Sequence, residues 1–398
     1  MIFFRKLAQI PRTIWALGFV SMFMDISSEM IHAVLPLFLV SSLGTSVTMV
    51  GAIEGLGETV AYGSKVFSGI LSDYLKKRKL LACIGYGLST VVKPLFALAW
   101  SPLLVLIARI LDRLGKGIRG APRDALISEV SPPELRGACF GLRQSLDTIG
   151  AIIGPLLAII LLSLFSNGYR LIFWLAFIPA AISVALLVFG VEDVKEKSLA
   201  ELATDEVKFQ GVRGLPRDYW LVVCLGCVVA FSRLGEGFLI LRAVSVGYSM
   251  ALAPVIMVVM NVAYTLSSYP AGHLSDRIDR RKMLLVGMML LGVSDLTLSL
   301  WATPLGVFVG TAFWGLHMGF TQGVVAAMVA ETTPKEQRGS AYGLLNMFMG
   351  ITLLTSGLLG GLIWDSFGPS SMFAMGAVFV GVAIVAVIVS SGSCRVKY

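Results

Sequence analysis

Apolar runs long enough to cross a membrane alternate with short polar links along the whole chain. A helix of about 20 apolar residues spans the roughly 30 Å hydrocarbon core of a bilayer. The expected helix cores are residues 14–40, 47–71, 80–100, 103–118, 138–165, 171–191, 220–244, 251–274, 283–301, 305–330, 341–363 and 372–389. The first run is too long for the apolar region of a signal peptide, so we interpret it as a spanning helix. The pattern predicts an all-α membrane protein with twelve transmembrane helices.

Basic residues are concentrated in every second link. They follow the second run at 76–79 and the eighth run at 280–282, and they recur in the long polar stretch after the sixth run. The intervening links are nearly free of lysine and arginine, with Arg170 as the exception. Cytoplasmic loops carry the excess of positive charge in membrane proteins. We therefore expect both termini in the cytoplasm, in an integral protein of the bacterial inner membrane.

Composition and charge agree with this interpretation and exclude other classes. Hydrophobic residues make up 56% of the chain and charged residues 14%, whereas soluble domains are about 25% charged. The basic links account for the net charge of +8, so no nucleic-acid partner is expected. The sequence has no phosphate-binding loop, nucleophile elbow or zinc motif. We accordingly expect a protein that is not an enzyme, has no catalytic residues and binds neither a cofactor nor a metal.

The second half of the chain repeats motifs of the first half. The pentapeptide from Gly69 to Asp73 recurs from Gly272 to Asp276, and the segment that ends at Arg136 recurs with its end at Arg338. Both copies of the basic link fall on the same predicted side, which indicates parallel repeats, a known transporter pattern. We expect an N-terminal six-helix bundle at 1–191, a cytoplasmic linker at 192–217 and a C-terminal six-helix bundle at 218–398.

These motifs resemble those of the major facilitator superfamily over essentially the whole chain. The loop that begins at Gly69 is similar to the family signature between helices two and three, and Arg109 fits the arginine of the helix-four pattern. Gly154 and Pro155 are similar to part of the helix-five antiporter motif of drug/proton exporters. Asp112 and Arg113 depart from the helix-four pattern. The resemblance implies two pseudo-symmetric six-helix bundles that rock around a central site, in a protein that works as a monomer.

The resemblance also implies a gate. In the family, the acidic residue of the loop motif latches the cytoplasmic side, because a carboxylate there can meet helix N-termini and arginines. The alternative is a solvated basic turn that only sets topology. The gating residues expected in this chain are Asp73, Arg78, Asp276, Arg281, Gly154 and Pro155.

Acidic residues inside the predicted spans are candidates for ion coupling. A charge at the bilayer centre costs at least about 2.5–3.5 kcal/mol, so an intramembrane ionisable residue suggests function. Asp25 and Glu29 are one helical turn apart, as are Glu54 and Glu58. Two ionised carboxylates at this spacing repel each other, and the repulsion favours protonation of one of them. We expect these four to couple protons; the alternatives are a structural pair neutralised by an arginine of helix four, or a position at the rim.

Further polar residues within the spans are candidates for substrate contact. They are Arg109, Asp112, Arg113, Arg233, Glu236, His317 and Asn346. The helix-four arginines could hold an anionic group or reset the carboxylates, and His317 could be a packing residue. Arg143 and Asp147 have the spacing of an intrahelical ion pair.

The first hypothesis for function is proton-coupled export of a small organic solute by alternating access. The second is proton-coupled uptake of an anionic or zwitterionic metabolite, held by Arg109, Arg113 and Arg233. A non-transporting membrane receptor is the third, although the short loops offer no large domain for a partner. The expected partners are thus a small-molecule substrate, protons and the lipid bilayer.

Overall fold

The computed structural model describes residues 9–75, 77–165, 168–191, 214–275, 278–334 and 337–393. Within these ranges the chain forms helices and no strands. The helices are α1 (Arg12–His32, continued by Leu35–Leu37 and Phe38–Ser42), α2 (Val47–Leu75), α3 (Arg78–Leu98), α4 (Pro102–Val130), α5 (Arg136–Leu164), α6 (Tyr169–Gly190), α7 (Arg217–Ser232 and Gly237–Ser245), α8 (Val255–Ser275), α9 (Arg280–Leu300), α10 (Pro304–Thr321 and Val324–Thr332), α11 (Arg338–Phe367) and α12 (Pro369–Ser393). The predicted all-α fold with two six-helix bundles is confirmed. The predicted linker at 192–217 lies mostly outside the described residues.

Ten of these helical units are long and apolar enough to cross a membrane by length and composition. The other two, α2 and α4, have 29 residues each and are long enough. They are less apolar because they carry Glu54, Glu58, Arg109 and Arg113. These side chains pair with one another inside the protein, which removes the charges from contact with lipid.

The two halves begin equivalent helices in the same way. The Ser101 side chain accepts a hydrogen bond from the backbone of Leu104 at the start of α4, and Thr303 does the same for Gly306 at the start of α10. In both helices a proline occupies the first helical position. An N–H at that position would have no acceptor within the helix, so its absence in proline costs no hydrogen bond. Local sequence signals therefore set matching boundaries in the two bundles.

The repeat is also visible in long-range contacts at one end of the molecule. Arg78 at the start of α3 forms an ion pair with Glu129 near the end of α4. Arg280 at the start of α9 pairs with Glu331 near the end of α10, with 3.0 Å between nitrogen and oxygen. We call the end that carries these four residues the basic face and the opposite end the short-loop face.

The two bundles meet where α2 packs along α11 and where α5 packs along α8. On the short-loop face, the Asp365 carboxylate of α11 accepts hydrogen bonds from the backbone of Val47 (3.0 Å) and of Thr48 (2.8 Å) at the start of α2. One turn further in, Gly51 and Gly357 lie backbone to backbone, and a Cβ on Gly357 would be 2.6 Å from the Gly51 carbonyl oxygen. Small residues allow this close approach. Contacts between α2 and α11 thus close the interface between the two bundles on the short-loop side.

Helices α7 and α10 are interrupted, whereas the sequence predicts each as one continuous helix. The break in α7 covers residues 233–236. The break in α10 falls at Gln322 and Gly323, where Gly323 has φ +82°, a left-handed conformation suited to glycine. Irregular backbone at membrane depth is tolerated where it is buried in protein or lines a cavity.

A charged cavity between the bundles

Two adjoining cavities lie between the basic face and the middle of the helices. The first, the vestibule, has a volume of about 290 Å³ and the second, the central cavity, about 230 Å³. The vestibule is lined by Asp25, Glu58, Ala61, Tyr62, Lys65, Lys116, Gly117, Arg119, Gly120, Arg123, Asp124, Arg143 and Asp147. The central cavity is lined by Asp25, Glu29, Gln144, Asp147, Thr148, Ala151, Glu236, Met260, Asn261, Tyr264, Met318 and Gln322. Asp25 and Asp147 line both. Most of the residues that line the two cavities have charged or polar side chains.

An ion-pair network lies beside the central cavity and joins α1, α2 and α4. His32 has one ring nitrogen 3.5 Å from Glu29 and the other 3.4 Å from Glu54. Glu54 also accepts a hydrogen bond of 2.6 Å from Arg109. Because carboxylates only accept, a doubly protonated imidazole ring serves both of its neighbours best. The network therefore balances carboxylates with cations within one bundle.

The two arginines predicted to contact substrate take part in these pairs. Arg109 is only 2% exposed and faces Glu54. Arg113 lies 3.1 Å from Glu58. In this conformation the structure places both guanidinium groups against carboxylates of α2.

Asp112 lies on a different face of α4 and does not line either cavity. Its carboxylate is 2.9 Å from the ammonium group of Lys93 on α3, and both side chains are buried. Lys93 also donates a hydrogen bond of 3.1 Å to Ser28 on α1. Sequence analysis overlooked Lys93, although a lysine within an apolar run was a detectable signal.

The remaining predicted substrate residues are dispersed. Arg233 and Glu236 form an ion pair of 2.7 Å at the α7 break, and Glu236 lines the central cavity. His317 is buried, with its Nδ1 atom 2.9 Å from the Gly287 carbonyl of α9. Asn346 is half-buried on α11. Neither His317 nor Asn346 is among the residues that line the two cavities.

The expected intrahelical pair on α5 forms, since Arg143 donates to Asp147 at 2.8 Å. Both side chains line the vestibule. This pair places charge of both signs at the boundary between the vestibule and the central cavity.

Several residues that line the cavities were absent from the predicted site. Lys116, Arg119 and Arg123 follow one face of α4, as their spacing of three and four could have indicated. On the C-terminal side, the Tyr264 hydroxyl donates a hydrogen bond of 2.5 Å to Gln322 at the α10 break. No pattern in the sequence indicated that these two residues meet.

The expected gating residues are only partly described. The side chain of Asp73 and the whole of Asp276 lie outside the described residues. Arg78 pairs with Glu129, and the backbone N–H of Arg281 donates to Asp279 at 2.7 Å.

Gly154 and Pro155 lie where α5 packs against α1. A Cβ on Gly154 would be 2.8 Å from the Cβ of Glu29, and one on Gly150 would be 3.1 Å from the Cβ of Asp25. The glycines therefore allow α5 to approach α1 beside the two acidic residues, and Pro155 is buried in the same helix.

Comparison with known proteins places this geometry in a family. The sequence profile of the Major Facilitator Superfamily matches residues 17–261 and 237–391. An uncharacterised MFS-type transporter of Methanocaldococcus jannaschii is 31% identical over 377 residues, covering 93% of this chain and 92% of that protein. The multidrug resistance protein MdtH of Cronobacter sakazakii is 32% identical over 118 residues, covering 30% and 29%. The glucose transporter GlcP of Staphylococcus epidermidis is 22% identical over 375 residues, covering 84% and 81%.

The fold is shared with solved transporters. The crystal structure of a point mutant of the nucleoside transporter NupG superposes with a TM-score of 0.79 at 14% identity, covering 95% of this chain and 99% of that one. Together with the motifs, the repeated bundles and the cavity between them, these matches show that this chain is an integral membrane transporter belonging to the Major Facilitator Superfamily.

Proposed function

We propose that the protein exports a small polar organic solute from the cytoplasm in exchange for protons, by alternating access. The observation that carries the proposal is the position of Asp25. This residue lines both the vestibule and the central cavity. Among the four candidate coupling carboxylates, Asp25 is the one with no ion-pair partner in the described part of the chain, because Glu29, Glu54 and Glu58 each have a cation within 3.5 Å.

The charge balance assigns different roles to the four carboxylates. Glu29, Glu54 and Glu58 are compensated by His32 and two arginines, so they hold the network together and keep their charge. Asp25 borders both cavities. Among the described residues that line them, the lysines and arginines, such as Lys116, all belong to the vestibule. Asp25 is therefore the group that can gain or lose a proton without leaving an arginine unpaired.

The transport cycle follows from these positions. With the short-loop face closed, the solute enters from the basic face, which the distribution of charge predicts to be cytoplasmic. Binding beside Asp25 displaces its proton towards the cytoplasm. The bundles then rock, the contact between Asp365 and α2 opens, and the solute leaves on the other side. A proton taken up by Asp25 from that side resets the carrier.

The test uses purified protein in vesicles that contain a pH-sensitive dye. A panel of polar metabolites and cationic drugs is added under an imposed pH gradient, and solute movement and internal pH are followed together. The wild type should move at least one compound against its gradient, with stoichiometric proton flux. Asp25→Asn cannot ionise, so it should retain solute exchange and lose all response to the pH gradient. The exposed Glu134→Gln variant serves as the control and should behave as the wild type.

If wild-type flux ignores the gradient, proton coupling is wrong. If Asp25→Asn keeps its response to pH, Asp25 is not the carrier. Both outcomes are decided by the same recordings, because they report the solute and the proton at once.

A second candidate is uptake of an anionic or zwitterionic metabolite together with protons. The observation in its favour is the set of cations in the vestibule, among which Lys65 and Lys116 have no ion-pair partner among the described residues. The relatives include both a drug-resistance protein and a glucose transporter. The direction of the proton movement that accompanies an active compound separates the two candidates.

A further inference from the structure

The C-terminal bundle contains a buried carboxyl group that the proposed cycle does not use. Asp295 on α9 is 0% exposed. Both of its side-chain oxygens are buried without a hydrogen-bond partner in the described structure. The other described acidic residues beside the cavity either pair with a cation or, like Asp25, face open space. Asp295 does neither.

No charged group compensates Asp295 from the described parts of the helices that pack around it. Helix α12 has no ionisable residue in its sequence. On α7, Arg242 is bonded to the Leu298 carbonyl and to Ser370, each at 3.0 Å, and Arg233 is bonded to Glu236. On α10, His317 is directed at the carbonyl of Gly287. An unpaired ionised carboxylate is strongly disfavoured in such a place, so Asp295 carries a proton in this conformation.

Asp295 and the break in α7 have a common neighbour on α12. A Cβ on Gly376 of α12 would be 2.8 Å from the Asp295 Oδ2 atom and 3.0 Å from the Cδ1 atom of Leu234, a residue of the break. Glu236, two positions further along the same break, lines the central cavity. The break and the carboxyl group therefore border the same glycine of α12, while the break also borders the cavity.

The second segment of α7 begins at Gly237, and no side chain caps its first turn. The N–H groups of Phe238 and Leu239 donate to the Gly235 and Glu236 carbonyls of the break, each at 3.1 Å. Uncapped N–H groups at a helix N-terminus stabilise a nearby negative charge. A movement of the break that separates these backbone bonds would free N–H groups near the buried carboxyl group, and the same movement would displace Glu236 in the cavity wall.

We propose that Asp295 is a second proton-binding site of the transport cycle, which holds a proton in this conformation and releases it when the α7 break moves. The site goes beyond the proposed function, which uses Asp25 alone. A purely structural neutral acid would donate its O–H to a fixed acceptor, and none is present among the described residues. Two polar atoms of α10 in the same bundle, Thr311 Oγ1 and Trp314 Nε1, are likewise buried without hydrogen-bond partners in the described structure.

The first test is infrared spectroscopy of the purified full-length protein, with protons as the only ligand. The wild type should show a C=O band of a neutral carboxylic acid that exchanges slowly in deuterated water. Asp295→Asn should lose this band, while Asp25→Asn and the neighbouring Ser294→Ala control should keep it. A band that survives in Asp295→Asn would refute the neutral state of Asp295.

The second test asks whether the proton is coupled to conformation. Spin labels on α5 and α8 at the basic face report the distance between bundles as the pH is raised. The wild type should shift its distance distribution with pH, and Asp295→Asn and Asp295→Leu should both lose part of that shift, while Ser294→Ala should retain it. An unchanged pH response in both folded variants would assign Asp295 to packing alone. Neither test needs a transported solute, so failure here is distinguishable from failure of the Asp25 proposal.

Discussion

At the scale of single residues, the interior of the N-terminal bundle depends on which charges face each other. Lys93 and Asp112 form a buried pair between α3 and α4, with side-chain exposures of 1% and 7%. Removing one partner of such a pair leaves the other charge buried and uncompensated, which is much more damaging than removing both. This asymmetry makes the pair testable.

We expect Lys93→Met to destabilise the protein by about 3–5 kcal/mol, because the Asp112 carboxylate stays behind without a partner. The double variant Lys93→Met/Asp112→Leu should regain most of that loss. Thermal unfolding in detergent measures both. Arg280→Met is the control, since its pair with Glu331 is largely exposed and contributes about 0–1 kcal/mol. A double variant no more stable than the single variant would contradict this account.

The sequence located most ionisable residues of the interior but could not assign their partners. Asp25 and Glu29 both line the central cavity, and helical spacing determines that they share a face. The contact of His32 with both Glu29 and Glu54 depends on how α1 and α2 cross. That crossing is a tertiary property, which local periodicity does not contain.

At the scale of elements, glycines on α5 determine how closely it packs against α1. Gly150 and Gly154 are on the same face of the helix. A Cβ on Gly150 would be 3.1 Å from the Cβ of Asp25, and one on Gly154 would be 2.8 Å from the Cβ of Glu29. The helices can therefore approach only because these positions lack side chains.

Gly154→Val should push α5 away from α1 and abolish transport, because its side chain has no room beside Glu29 and the Ile26 carbonyl. Flux of whichever compound the vesicle screen identifies measures the effect. Gly141→Val is the matched control on the same helix, since nothing lies within 4 Å of the position of its Cβ. Equal activity of the two variants would show that the close approach is dispensable.

Helix existence was predictable, whereas helix continuity was not. Hydropathy found all twelve helices because lipid selects apolar sequence over the whole length of a span. It overlooked the interruptions of α7 and α10, because residues such as Gly235 and Gly323 are also common in unbroken transmembrane helices. The breaks become evident only where they meet the cavity.

At the scale of the whole molecule, the Asp365 carboxylate adds hydrogen bonds to the glycine contacts that join the two bundles at the short-loop face. Asp365 of α11 accepts bonds from the start of α2, including one of 2.6 Å from the Thr48 hydroxyl. These bonds can exist only while this face is closed. Asp365 therefore contributes to the energy difference between the two end states of the carrier.

Asp365→Ala should shift the population towards the conformation open at the short-loop face. Spin labels at the exposed positions Met49 and Phe367 should report a longer mean distance in the variant than in the wild type. Thr355→Ala provides the control, because its hydroxyl bonds only to carbonyls of its own helix. An unchanged distance distribution in Asp365→Ala would show that the glycine contacts alone close this face.

The pairing of α2 with α4 has a consequence for biosynthesis. The arginines that pair with Glu54 and Glu58 belong to α4, which is made later than α2, whereas His32, the other partner of Glu54, is made earlier. When α2 leaves the ribosome, these carboxylates have no arginine to meet, and the bilayer rejects them in ionised form. The insertion machinery must then retain α2, or admit it with its acids protonated, until α4 has been synthesised. The two ion pairs thus link the stable integration of α2 to that of α4.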